Sequence, residues 1–85
     1  MSRFRVSVNI SPRQGILDPQ GKAVAEALHS LEFSEVRDVR VGRFVVMQVD
    51  AADRASASQR VREMCDKLLA NPVVEDYQIA SVEET

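Results

Sequence analysis

The chain has 85 residues, of which 45% are hydrophobic and 28% charged, with a formal net charge of −2. These values exclude a disordered chain, and no apolar run approaches the roughly 20 residues that span a bilayer. The charge balance gives no overall pull toward nucleic acid or an anionic membrane.

A chain this short forms one domain, residues 1–85. It buries only about 60–65% of its unfolded surface, so partners or self-association are expected to complete its core. Cys65 is the only cysteine, which rules out an internal disulfide and any metal site built on paired cysteines. The N-terminus alternates rather than forming the apolar core of a secretion signal, so the expected compartment is the cytoplasm.

Residues 3–11 place Phe4, Val6, Val8 and Ile10 on one face and Arg3, Arg5, Ser7, Asn9 and Ser11 on the other. That period of two predicts a half-buried strand, ended by Pro12. Asp18 and Pro19 suit the N-cap and first position of a helix. Val24, Leu28 and Leu31 then recur at helical spacing, so the helix is expected to end near Leu31. Gly21 in its first turn weakens it slightly.

Val36–Val41 and Phe44–Val49 read as two further strands, with Gly42 in a tight hairpin turn between them. In the second of these, Val45, Met47 and Val49 share one face and Phe44 and Val46 the other. Apolar residues on both faces predict that another subunit covers the far side.

Asp53, Ser56 or Ser58 can cap a second helix. Its stripe is Val61, Met64, Cys65, Leu68 and Leu69, with Asn71 as a left-handed cap and Pro72 blocking continuation. Val73–Val82 reads as the last strand, with Tyr77 and Ile79 on one face. The order β-α-β-β-α-β predicts an α+β two-layer sandwich of ferredoxin-like type. Its sheet is mainly antiparallel, with two helices on one face.

The chemistry-bearing residues are few. His29, the only histidine, lies beside the first apolar stripe, and Glu26 and Glu32 flank it equally, so it reads as a surface or interface residue. Cys65 falls within the second stripe and reads as core. Ser11–Lys22 offers two glycines and a lysine near a helix N-terminus, but lacks the spacing of a phosphate loop or a dinucleotide fingerprint.

Arginine occurs nine times and lysine twice. Arg3 and Arg5 share the polar face of the first strand, with Arg40 expected nearby. Acidic residues such as Glu75 or Asp76 are their expected interface partners. The exposed face of that strand has no aromatic residue for base stacking, which disfavours an RNA-binding module. The interface candidates are therefore Arg3, Arg5, Phe44, Val46, Asp76 and Tyr77, with no catalytic, cofactor-binding or metal residue assigned. From the residues alone this is a small interaction module, expected to be oligomeric.

Three stretches in register resemble one family: Leu17–Val24 with Ala27-Leu28, Val36–Arg43, and Met64–Tyr77. Together they are similar to the PurS subunits of phosphoribosylformylglycinamidine (FGAM) synthase, over nearly the whole chain. The resemblance implies a subunit of a ligase of de novo purine synthesis that uses ATP and glutamine-derived ammonia. It implies a homodimer or tetramer that joins a PurL-like synthetase and a PurQ-like glutaminase. ATP and Mg²⁺ then belong to the assembled complex and none to this chain. Two departures stand out: Glu32 between Leu31 and Phe33, where the family often has glycine, and Arg43, where it usually has lysine.

An alternative lies in Pro12–Leu17, which looks like the Pro-Gly-Leu loop of ACT-type amino-acid-binding regulatory domains. The two readings differ in whether the isolated chain binds an amino acid.

Overall fold

Three long strands form one antiparallel sheet in the computed structural model, which describes residues 1–85. They are β1 (Ser2–Pro12), β2 (Arg43–Ala51) and β3 (Glu75–Glu84), in the order β2-β1-β3. Helix α1 (Pro19–Ser30) follows β1. Helix α2 (Arg54–Met64) follows β2 and runs into a π-helical turn at Cys65–Leu69. The α+β class and the antiparallel sheet are as the sequence predicts. No helix is long and apolar enough to cross a membrane.

The alternation of β1 sets the layering. Phe4, Val6, Val8 and Ile10 are buried. They join Ala51, Ala57, Val61, Cys65 and Ala70 in one core beneath α2. Register carries that face outward to both neighbours: Val8 lies opposite Val45 on β2 and Ile79 on β3. A bulge between the Ser7–Ser81 and Val8–Ile79 pairs leaves Ala80 as the extra residue on β3.

The segment Val36–Val41 is not a strand. Its valines fall at 36, 39 and 41, which does not sustain a period of two, and other bonds claim its backbone. Val41 N–H donates to the Asp18 carboxylate at 2.9 Å. His29 Nε2 bonds the Val36 carbonyl at 2.7 Å. The sheet therefore has three strands rather than four. Gly42 does not make a hairpin turn either, since its φ is not positive. It lies where a Cβ would come within 2.3 Å of the Ile10 carbonyl, so glycine serves a close backbone approach.

Helix α1 is capped by Asp18 as predicted, with Pro19 in its first turn. It contributes none of its side chains to the core, and Gly21 is its only buried residue. Covering of the core face of the sheet is left to α2. The Cα radius of gyration is 16.3 Å and the longest extent 52 Å. A compact 85-residue chain has a radius near 12 Å, so the molecule is elongated.

Asp53 is the N-cap of α2, accepting from Ser56 N–H at 2.8 Å. The stripe behind it is broken at its end. In the π turn, Ala70 N–H bonds the Cys65 carbonyl five residues back. This wider turn carries Leu68 out to 82% exposure while Cys65 stays buried. Asn71 does not take the left-handed conformation. Its side chain accepts from Val73 N–H instead, making a local turn into β3.

Candidate functional site

The sheet face away from α2 carries most of the predicted interface residues. Phe44 and Val46 stand on it, 61% and 51% exposed. Their neighbours on β1 are polar, Asn9 opposite Phe44 and Ser7 opposite Val46. The apolar part of the face is thus a strip confined to β2.

Arg3 and Arg5 lie on the same face, but each already has a partner. Arg3 Nε donates to Asp50 Oδ1 at 2.9 Å and Arg5 Nη2 to Glu83 Oε2 at 2.6 Å. Hydrogen bonding to Arg3, then its charge, holds the Asp50 carboxyl below the usual carboxylate range. These are solvent-exposed pairs, so water screens them and each adds little to stability. Asp76 pairs with Arg13 at 3.5 Å. Arg40 lies at the other end of β1 from Arg3, bonding the Arg13 carbonyl at 3.1 Å.

Tyr77 does not join this group. It lies opposite Ile10 and packs against the core on the α2 side. Burial, and then Asp66 beside it, push its hydroxyl above the ordinary tyrosine value. It lines a small cleft of about 150 Å³ with Arg13, Asp66, Glu75 and Asp76.

The loop before α1 forms a wider cleft of about 530 Å³ with Lys22, Arg37 and Arg40 on its walls. Its helix-end amides are not free for an external anion. Gly21 N–H donates to Asp18 Oδ1 at 3.0 Å and Lys22 N–H to the Asp18 carbonyl at 2.9 Å. A third groove, about 320 Å³, runs between β2 and the end of α2. Met47, Met64, Leu68 and Leu69 form its floor, with Arg60 and Lys67 at its rim. The sequence reading missed this groove because it placed Leu68 in the core.

His29 Nε2 holds the Val36 carbonyl, and Cys65 is fully buried, its thiol pushed up by burial and then by Asp66. Glu75 is a junction that sequence pattern could not reveal. Its Oε1 accepts from Asn71 N–H at 2.8 Å and from Arg43 Nη2 at 2.6 Å. Arg43 Nη2 also donates to the Leu69 carbonyl at 2.9 Å.

Residues 5–83 match the family model described as PurS: Phosphoribosylformylglycinamidine (FGAM) synthase. The chain is 47% identical over 75 residues to the Phosphoribosylformylglycinamidine synthase subunit PurS of Bacillus subtilis, covering 88% of each chain. It is 39% identical over 75 residues to the subunit of the same name from Mycobacterium leprae, covering 88% of this chain and 91% of that one. Among solved structures it is similar to B. subtilis PurS, with a TM-score of 0.84 over 95% of this chain and 99% of that one. It is also similar to a chain of the PurLQS structure from Thermotoga maritima, at 29% identity and a TM-score of 0.84 over the full length of both chains.

Proposed function

The chain belongs to the PurS family of FGAM synthase subunits of purine biosynthesis, and from that premise we propose that it is the non-catalytic assembly subunit of the enzyme. It bridges a PurL-like synthetase and a PurQ-like glutaminase and supports transfer of ammonia from one to the other. The observation that carries this reading is the family match over residues 5–83. The PurLQS structure from T. maritima, with its full-length similarity to this chain, supports association with both larger subunits.

The side chains support a role without chemistry. His29 holds backbone, Cys65 is buried, and Asp18, Asp53 and Glu75 serve caps and turns. ATP and Mg²⁺ act on the synthetase, and this chain supplies no ligand to either. Holding two active sites together raises the local supply of an intermediate without altering either transition state. Residues 12–17, which suggest an amino-acid-binding domain, fall within the same family match, and that alternative has no separate support.

The test compares two nitrogen sources. The synthetase subunit alone, given ATP, substrate and high ammonium, is expected to turn over without this chain and to gain little when it is added. Glutamine-driven turnover is expected to require all three chains. If ammonium-driven turnover is absent until this chain is supplied, the chain completes the synthetase site and the proposal fails.

A further inference from the structure

Most cations of this chain are spent on partners within it. Arg3, Arg5, Arg43 and Arg60 each meet a carboxylate at 2.9 Å or less, and Arg13 meets Asp76 at 3.5 Å. Arg54 Nη1 donates to the Val82 carbonyl at 2.6 Å. The 530 Å³ cleft beside α1 differs: Lys22 and Arg37 on its walls have no ion-pair partner in the chain. Arg40 joins them. Its Nη1 donates to the Arg13 carbonyl at 3.1 Å and its Nε lies 3.8 Å from Asp38 Oδ2, so its planar fork is held at the cleft. Two carboxylates also line the cleft, but both oxygens of Asp18 are filled by the amides of Gly21 and Val41. Lys22 stands in the first turn of α1, where a cation opposes the helix dipole and adds nothing to folding.

We propose that this cleft binds a nucleoside monophosphate, its phosphate held by Lys22, Arg37 and Arg40. Three observations choose that ligand. Two guanidinium forks and an ammonium gathered at one cleft suit the compact charge of a phosphate, which arginine can hold through two parallel hydrogen bonds. An acidic peptide spreads its charge along a chain instead. The cleft has the volume of a small-molecule site, and a phosphate group occupies only a small part of it. The remaining wall is apolar: Ile16, Leu17 and Val39 line it, and Leu17 is 77% exposed in the free chain. An inorganic anion would answer the charge and leave that wall wet, whereas a nucleoside covers it. Recognition falls to side chains because the amides of Gly21 and Lys22 are already bonded to Asp18. That is why no phosphate-loop spacing marks the site in the sequence.

The test titrates the full chain at low salt with AMP and, separately, with UMP, read by calorimetry and by amide shifts in NMR. Inorganic phosphate and adenosine serve as the separated parts. At least one nucleotide is expected to bind saturably and to shift amides of the cleft walls, Ile16–Ala25 and Arg37–Arg40. It is expected to bind about tenfold tighter than inorganic phosphate or more, because the apolar wall adds to the charge. Adenosine is expected not to saturate, and added salt to weaken the nucleotide. Lys22→Gln and Arg37→Gln, both at exposed positions, are each expected to weaken it by about tenfold through a lost charged hydrogen bond. Arg62→Gln on α2 is expected to leave it unchanged. Failure of both nucleotides to saturate overturns the proposal. So do amide shifts that map away from the cleft, inorganic phosphate or oligoglutamate binding as tightly as the nucleotide, or normal binding by Lys22→Gln and Arg37→Gln. These measurements use the chain alone, so their failure is separate from failure of the synthase reading.

Discussion

Asp18 holds Val41 across 23 residues of sequence: its Oδ2 accepts the Val41 N–H at 2.9 Å while its Oδ1 accepts the Gly21 N–H at 3.0 Å. One carboxylate thus closes the start of α1 and fixes the segment that returns to β2. Both amides stabilise the charged form, and the Asp18 carboxyl lies below the usual carboxylate range, from the Gly21 bond first and the Val41 bond second.

A depressed folded-state value means that this stabilisation is present above the unfolded carboxylate value, about pH 3.9. It is lost as pH falls through the folded value. Asp50, Asp53 and Glu75 are shifted the same way. Stability is therefore expected to be flat from neutrality to about pH 5 and to fall below about pH 4. Asp18→Asn should flatten part of that acid limb and speed amide exchange at Val41. Chemical denaturation across pH and exchange by NMR measure the two effects, and an unaltered acid limb in the variant would remove Asp18 from it.

Gly21→Ala sets two effects against each other. In an open helix, alanine is favoured over glycine by about 1 kcal/mol. Here a Cβ at position 21 would sit 2.2 Å from the Val39 carbonyl and 2.6 Å from Asp18 Oδ2. Both atoms belong to the connection that Asp18 holds, so the added methyl must displace it. The expected result is a loss of about 1–3 kcal/mol, as for other overpacked sites. A gain on urea denaturation would mean that the segment moves aside freely.

Glu32 sits at φ 72° just past the end of α1. Phe33 N–H bonds the Leu28 carbonyl at 3.0 Å and Glu32 N–H the His29 carbonyl at 3.0 Å. This is the Schellman arrangement, whose left-handed position favours glycine. The helix end therefore keeps the geometry expected for glycine while carrying a side chain. Glu32→Gly is expected to stabilise the chain by about 1 kcal/mol, read as a higher urea midpoint at unchanged slope. No shift in the midpoint would show that the left-handed conformation is not held in solution.

The elements with strong period or cap signals were legible in the sequence: β1 from its alternation, α1 from Asp18 and Pro19, α2 from its stripe. What was not legible depends on distant partners. Val36–Val41 has strand-like composition, but Asp18 and His29 claim its backbone from another element. Leu68 fits a 3.6-residue period until the π turn adds a residue. Gly42 looks like a turn glycine, yet its reason is the Ile10 carbonyl, 32 positions earlier. Of the interface candidates, Phe44 and Val46 lie on the exposed face as read. The partners of Arg3, Arg5 and Asp76 proved to be within the chain, and Tyr77 faces the core because its register with Ile10 puts it there.

Cys65 tests whether the chain has any chemistry of its own. Its side chain is fully buried in the core with Val61 and Ala57, and burial raises the thiol above its ordinary value. A raised folded-state value leaves this group's effect on stability unchanged below the unfolded thiol value, about pH 8.5, and reduces stability as pH rises above it. At neutral pH the native thiol should resist alkylation and react only after denaturant opens the core. Cys65→Ala is expected to lower stability by roughly 1–2 kcal/mol through lost packing. It should leave glutamine-driven turnover of the assembled synthase within a few-fold of the unmodified complex. His29→Ala should cost less stability, freeing the Val36 carbonyl to water, and should leave turnover similarly intact. A loss beyond a hundredfold in either variant, with the complex still assembled by gel filtration, would mean that the residue takes part in the reaction, because packing changes away from reacting atoms do not reach that size.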